Sequence, residues 1–144
     1  MNTNDRKNIL VKELAEEFRW SHEQIELALR AKCKCEYCGI DLFSSCDNYI
    51  LWEVDHIVPK SCGISVYDFN DFNNLAISCS QCNWLKSKYN PLDEKFDREK
   101  CIIIAKNYIN ERRAKKQDEL NSIIKIFDEL FDLENNKKTG IENI

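Results

Sequence analysis

Two cysteine pairs, Cys35-x-x-Cys38 and Cys79-x-x-Cys82, bracket the run Glu53-Val54-Asp55-His56-Ile57-Val58-Pro59. Asn74-Leu75 lies between His56 and the second pair; Asn83 follows that pair directly, with Lys86 three residues on. Four thiolates fill a tetrahedral zinc shell and leave no open position, so zinc on Cys35, Cys38, Cys79 and Cys82 would be structural. A histidine titrates near neutrality and suits proton abstraction from water. The carboxylate of Asp55 beside His56 suits a hard divalent ion such as Mg2+ or Mn2+, which takes oxygen ligands and keeps several waters. Asn83 offers a second, neutral oxygen, and Asn74 can hydrogen-bond the His56 ring and fix its tautomer. A base, an ion with open positions and an orienting group equip metal-assisted hydrolysis, in which charge on a phosphoryl oxygen is stabilised.

The cysteine usage follows from the compartment. The N-terminal run Met1-Asn2-Thr3-Asn4-Asp5-Arg6-Lys7 leads into an amphipathic segment and shows no signal-peptide core, so a cytoplasmic protein is the expectation. In a reducing compartment eight cysteines read as metal ligands and core residues before disulfides. Cys33, Cys46, Cys62 and Cys101 fall outside the pairs. Cys33 competes with Cys35 as a ligand, although the x-x spacing favours Cys35 and Cys38. Cys101 heads the apolar run Cys101-Ile102-Ile103-Ile104-Ala105 and reads as a small core residue.

Those groups need elements to position them. A chain of 144 residues with 32% charged residues, three glycines and two prolines reads as an ordered, helix-rich protein. No apolar run approaches the roughly 20 residues of a membrane span. Ile9, Leu10, Leu14 and Phe18 recur at helical spacing over residues 5–19. Ser21 and Gln24 form a capping-box pattern opening a second helix, with Ile25, Ala28 and Leu29 as its buried stripe and Leu27 at the margin. Together these read as a scaffold hairpin, residues 1–32. Over 33–90, residues 49–54 predict the best strand in the chain, which ends at Asp55-His56. A loop runs from Pro59 through Gly63, Leu75-Ala76-Ile77 predicts a second strand, and Ser80 caps a short helix bearing Asn83 and Lys86. From 91 to 144 the pattern is helical, starting at Asp93, with Phe96, Ile103, Ile104 and Tyr108 buried. A stripe of Leu120, Ile123, Ile124, Phe127, Leu130 and Phe131 follows, in one long helix or an antiparallel pair, and the tail beyond Glu134 reads as frayed. The fold class is α+β: a small zinc-stapled core with helical flanks.

Residues 35–88 resemble the HNH endonucleases, whose ββα-metal core is often held by two CxxC knuckles. The resemblance rests on Cys35/Cys38, Asp55-His56-Ile57-Val58-Pro59, Asn74-Leu75, Cys79/Cys82, Asn83 and Lys86. Asn83 stands where the third residue of the family name is a histidine, a variant found in active members. The resemblance implies His56 as general base, Asp55 and Asn83 as ligands of the catalytic ion, and Asn74 as the group that orients His56. Asn73 and Asn70 lie close by; the leucine after Asn74 favours Asn74. The implied activity is metal-dependent endonucleolytic hydrolysis of DNA, with structural Zn2+ and catalytic Mg2+ or Mn2+. An RNA-directed nuclease and a catalytically silent zinc module that binds a protein are the alternatives.

Charge sets a limit on how substrate is held. Lys86 and Lys88, beside Trp84 and Tyr89, are candidates for the phosphate backbone of double-stranded DNA. Yet the chain carries a formal net charge of −4, and acids outnumber bases within 33–90. Intrinsic affinity for nucleic acid should therefore be weak and salt-sensitive. Capture by a second protein, or by another copy through the helical flanks, is the expectation.

Overall fold

The computed structural model describes residues 1–62 and 68–138. The loop expected through Gly63 and the end of the tail at Ile144 lie partly outside the described residues. The chain divides into two compact units, Met1–Ile109 and Asn110–Ile144.

The first unit opens with α1 (Thr3–Glu17), capped by the Asn2 side chain, which accepts from the Asp5 N–H at 2.8 Å. None of its described residues is buried, and its apolar stripe, expected to be covered, lies open at Ile9, Leu10 and Phe18. Helix α2 (His22–Ala31) starts on the expected capping box: Ser21 Oγ accepts from the Gln24 N–H, and Gln24 Oε1 from the Ser21 N–H. Its buried stripe is rotated from the expected one. Leu27 is fully buried, whereas Leu29 is 56% exposed. Ile25 and Ala28 are buried as expected.

The strand expected over residues 49–54 begins only at Glu53. Before it, α3 (Cys46–Ile50) forms on Ser45, whose side chain accepts from the Asn48 N–H at 3.1 Å. A capped helical turn satisfies backbone donors locally, which outweighs the modest strand preference of Tyr49 and Ile50. Strand β1 (Glu53–His56) pairs antiparallel with β2 (Leu75–Ser78), His56 opposite Leu75 and Asp55 opposite Ala76. Helix α4 (Ser80–Lys86) is capped by Cys79 and not by Ser80; Cys79 Sγ accepts from the Cys82 N–H at 3.3 Å.

The last helix, α5 (Arg98–Lys138), is a single helix of 41 residues. It starts later than Asp93 because Asp97 serves its first turn: the Asp97 side chain accepts from the Lys100 N–H, and its carbonyl from the Cys101 N–H. Its inward row in the first unit is Cys101, Ala105 and Ile109, spaced four apart on one face. Cys101 is a core residue as expected. Ile103 is 58% exposed, and Phe96, Ile104 and Tyr108 are half-buried, so the expected stripe was set about one position out of phase. Ala105 and Ile109 join Leu42, Ile57, Ile77 and Leu85 in the core.

Among the described residues the sheet has two strands, too few to be stable alone in water. Side chains serve the outer edge of β2. Glu36 donates its N–H to the Ile77 carbonyl and accepts the Ile77 N–H on Oε2. Arg98 Nη2 reaches Glu36 Oε1 at 2.6 Å and the Leu75 carbonyl at 3.1 Å. Arg30 also donates to the Leu75 carbonyl, bonds the Phe72 carbonyl and covers the Phe72 ring at 4.3 Å. Burial, then the neighbouring Arg98, lowers the Arg30 pKa from its ordinary value. Helices α2 and α5 are thus fastened to the strand that faces His56. In the second unit α5 continues to Lys138, with residues 114–138 exposed throughout. No helix among the described residues is long and apolar enough to cross a membrane.

Candidate active site and zinc centre

The first knuckle is a tight loop. The Gly39 N–H donates to the Cys35 carbonyl at 2.8 Å and the Cys35 N–H to the Ile40 carbonyl at 2.9 Å. Gly39 takes φ +79, a left-handed conformation that glycine adopts without steric cost. The start of α4 brings Cys79 and Cys82 to the same place, and the four sulfurs lie within 4.8 Å of one another. Cys38 Sγ and Cys79 Sγ are 3.8 Å apart, close to the edge of about 3.8 Å of a tetrahedron built on 2.3 Å zinc–sulfur bonds. These four cysteines can hold a zinc ion. Hydrogen bonds from Cys79 and Cys82 hold the Cys35 thiol far below its ordinary pKa, and the same bond pushes Cys79 up to about 11.

Asp55 points from β1 onto α4. Its carboxylate is 7% exposed and accepts on Oδ2 from the Tyr37 hydroxyl at 2.5 Å and from Lys86 Nζ at 3.1 Å. Burial raises its pKa, with Lys86 and then Tyr37 pulling the other way. Burial and the Asp55 charge push the Tyr37 hydroxyl well above its ordinary value, so it stays a donor. Lys86, expected on the phosphate backbone, is instead wholly buried, because four residues after Cys82 it shares that residue's inward helix face. Its ammonium also donates to the His56 carbonyl at 3.0 Å. Lys88 is exposed.

His56 ends β1, half-buried, on the opposite side of the strand from Asp55. Its ring Nε2 lies 3.1 Å from Asn70 Oδ1. Asn74, expected on that ring, is fully buried and acts on the backbone beyond it. It accepts from the Val58 N–H at 2.8 Å and donates to the Val58 and Phe69 carbonyls at 3.0 and 2.9 Å. The Asn74 carbonyl also accepts from the Ile57 N–H at 2.8 Å. Three groups therefore fix the histidine: Lys86 its carbonyl, Asn74 the turn after it, Asn70 its ring. Asn83, half-buried on α4, donates through Nδ2 to Glu53 Oε2 at 2.6 Å. Asp55 and Asn83 thus lie on one side of the hairpin but have different partners.

Sequence reasoning missed Tyr37, Glu53 and the inward role of Lys86. A signal existed for two of them: Glu53 is two residues from Asp55 on one strand face, and Lys86 four from Cys82 on one helix face. Tyr37 had none, since its partner is set by the knuckle's approach to β1.

Residues 35–88 match the family model for HNH endonuclease. The matched segment contains both knuckles, both strands and α4, and is similar to an HNH endonuclease domain. No curated protein and no solved structure matches the chain.

Proposed function

We propose that the protein is a metal-dependent endonuclease that hydrolyses phosphodiester bonds in double-stranded DNA. The observation that carries this reading is the HNH endonuclease match over residues 35–88, which falls on the hairpin and helix that hold His56, Asn74 and Asn83. His56 takes the proton from the attacking water at its ring, and Asn70 sets the orientation of that ring. Asn74 positions the histidine through the turn at Val58. Asp55 and Asn83 fit a hard divalent ion: Tyr37 and Lys86 both bond Oδ2 of Asp55, leaving Oδ1, and Asn83 donates through Nδ2, leaving its own Oδ1 as an acceptor. Mg2+ or Mn2+ held there would supply charge stabilisation at the phosphoryl and leaving oxygens. Lys88 stays as a contact to the phosphate backbone; Lys86 does not. The helical flanks are the part that meets a protein partner or another copy.

One observation favours the silent zinc module: Asp55 is sealed by two donors at 7% exposure. The assay that separates the readings incubates purified protein with plasmid, linear duplex, single strand and RNA, each with Mg2+, Mn2+ or chelator. Metal-dependent cutting of plasmid and linear duplex, abolished by chelator, is expected. Cutting of RNA alone, or of nothing, would replace the proposal.

A further inference from the structure

Among the described residues of the second unit the apolar side chains from Leu120 to Leu133 are exposed, and their order on the helix says what covers them. Leu120, Ile123, Phe127 and Leu130 follow one another at spacings of three, four and three, the seam of a coiled coil. Ile124 and Phe131 flank the seam on one side and Ile126 and Leu133 on the other, and all eight are 42–60% exposed. Asn121, Ser122, Lys125, Asp128, Glu129 and Asp132 occupy every remaining position from 120 to 133. The segment is thus apolar on one broad face and polar on the other, without exception over two heptads.

We propose that this face pairs antiparallel with the same face of a second copy of the chain. An apolar face this continuous, with all eight side chains 42–60% exposed, marks an interaction surface. Charge supports the pairing and sets its direction. The seam position before Leu120 is Lys116 and the one after Leu130 is Glu134. Antiparallel, Leu120 layers with the second copy's Leu130 and Ile123 with its Phe127, and each end of the seam then closes with Lys116 against the other copy's Glu134. Parallel, lysine would meet lysine and glutamate meet glutamate. Within the chain Lys116 bonds the exposed Glu119 at 2.8 Å, a surface pair worth little and easily exchanged. Three of the four charged residues on the polar face are acidic, which disfavours an anionic membrane surface as the occupant.

The inference does not depend on the nuclease reading. Sedimentation equilibrium of the full chain tests it, with zinc content and circular dichroism as controls for folding. The expected mass is twice the 17.0 kDa of one chain, or an even multiple of it. Ile123→Asp with Phe127→Asp should return it to 17.0 kDa with zinc content unchanged. Lys116→Glu and Glu134→Lys should each weaken association by about tenfold or more, and the two together should restore it. A wild-type monomer at high concentration, an odd oligomer, or an assembly indifferent to the charge variants would overturn the proposal. So would a monomer that instead binds anionic vesicles.

Discussion

Within Met1–Ile109 several ionic groups are inside. Lys86 and Asp55 are buried against each other under Tyr37, and Glu36 lies between Arg30 and Arg98 at the edge of β2. Within Asn110–Ile144 the apolar groups are outside, from Leu120 to Leu133. Buried charges cost several kcal/mol each in desolvation and persist only when paired and hydrogen-bonded. Exposed apolar stripes of this width persist only when something covers them. The first unit is therefore built around the candidate site, and the second carries the face proposed to pair. The first unit's buried ions hold His56 and Asp55 in place, so their cost is met where positioning is needed. Among its described residues the second unit has no buried charges and should contribute association without stabilising the site.

Variants that strip the first unit of its ties should break that contrast most severely. Cys79→Ser should have the largest effect, with zinc content and melting temperature lost together, since a zinc site contributes folding free energy directly. Metal analysis and thermal melts check it; an unchanged melt in a zinc-free protein would contradict it. Lys86→Met comes next, at about 3–5 kcal/mol near neutral pH, because it leaves the Asp55 carboxylate buried without its cation. The sign with pH is defined. Burial holds the Asp55 pKa above its usual value, so the folded state favours the protonated acid and any penalty for its charge fades as pH falls. Urea melts of Lys86→Met should therefore show a smaller deficit in acid than at neutrality; a pH-independent deficit would remove Asp55 from the explanation.

Smaller substitutions sharpen the comparison. Leu27→Ala should cost about 2–5 kcal/mol and Leu29→Ala under about 0.5 kcal/mol, since the first leucine is fully buried and the second is 56% exposed. Equal costs would put the α2 stripe back where the sequence alone placed it. Ile123→Asp should leave the first unit's unfolding free energy, read from urea melts, within about 0.5 kcal/mol of wild type while abolishing association.

Which parts were legible in the sequence follows from how local their causes are. The capping box at Ser21, the knuckle spacing, β2 and the end of β1 at His56 are set within a few residues and were readable. Residues 49–54 misled because the strand-forming side chains of Tyr49 and Ile50 competed with one cap at Ser45. The stripes of α2 and α5 were misphased because apolar spacing leaves the helix rotation open by about one position, and only the packed partner decides it. Asn74 was singled out by the leucine after it, but its partner is the Val58 backbone, and contacts across a loop have no sequence period. Lys86 was misassigned by its charge; its place four residues after Cys82 was the better guide.

The central claim is that His56 is the general base of a metal-dependent DNA endonuclease. His56→Ala tests it most directly, in plasmid cleavage with Mg2+ or Mn2+ alongside zinc content and thermal melting of the same preparation. The account predicts a rate lower by about 10²–10⁴, with zinc content and melting unchanged because the half-buried ring contributes little to the core. A His56→Ala protein that cuts at the wild-type rate would contradict it.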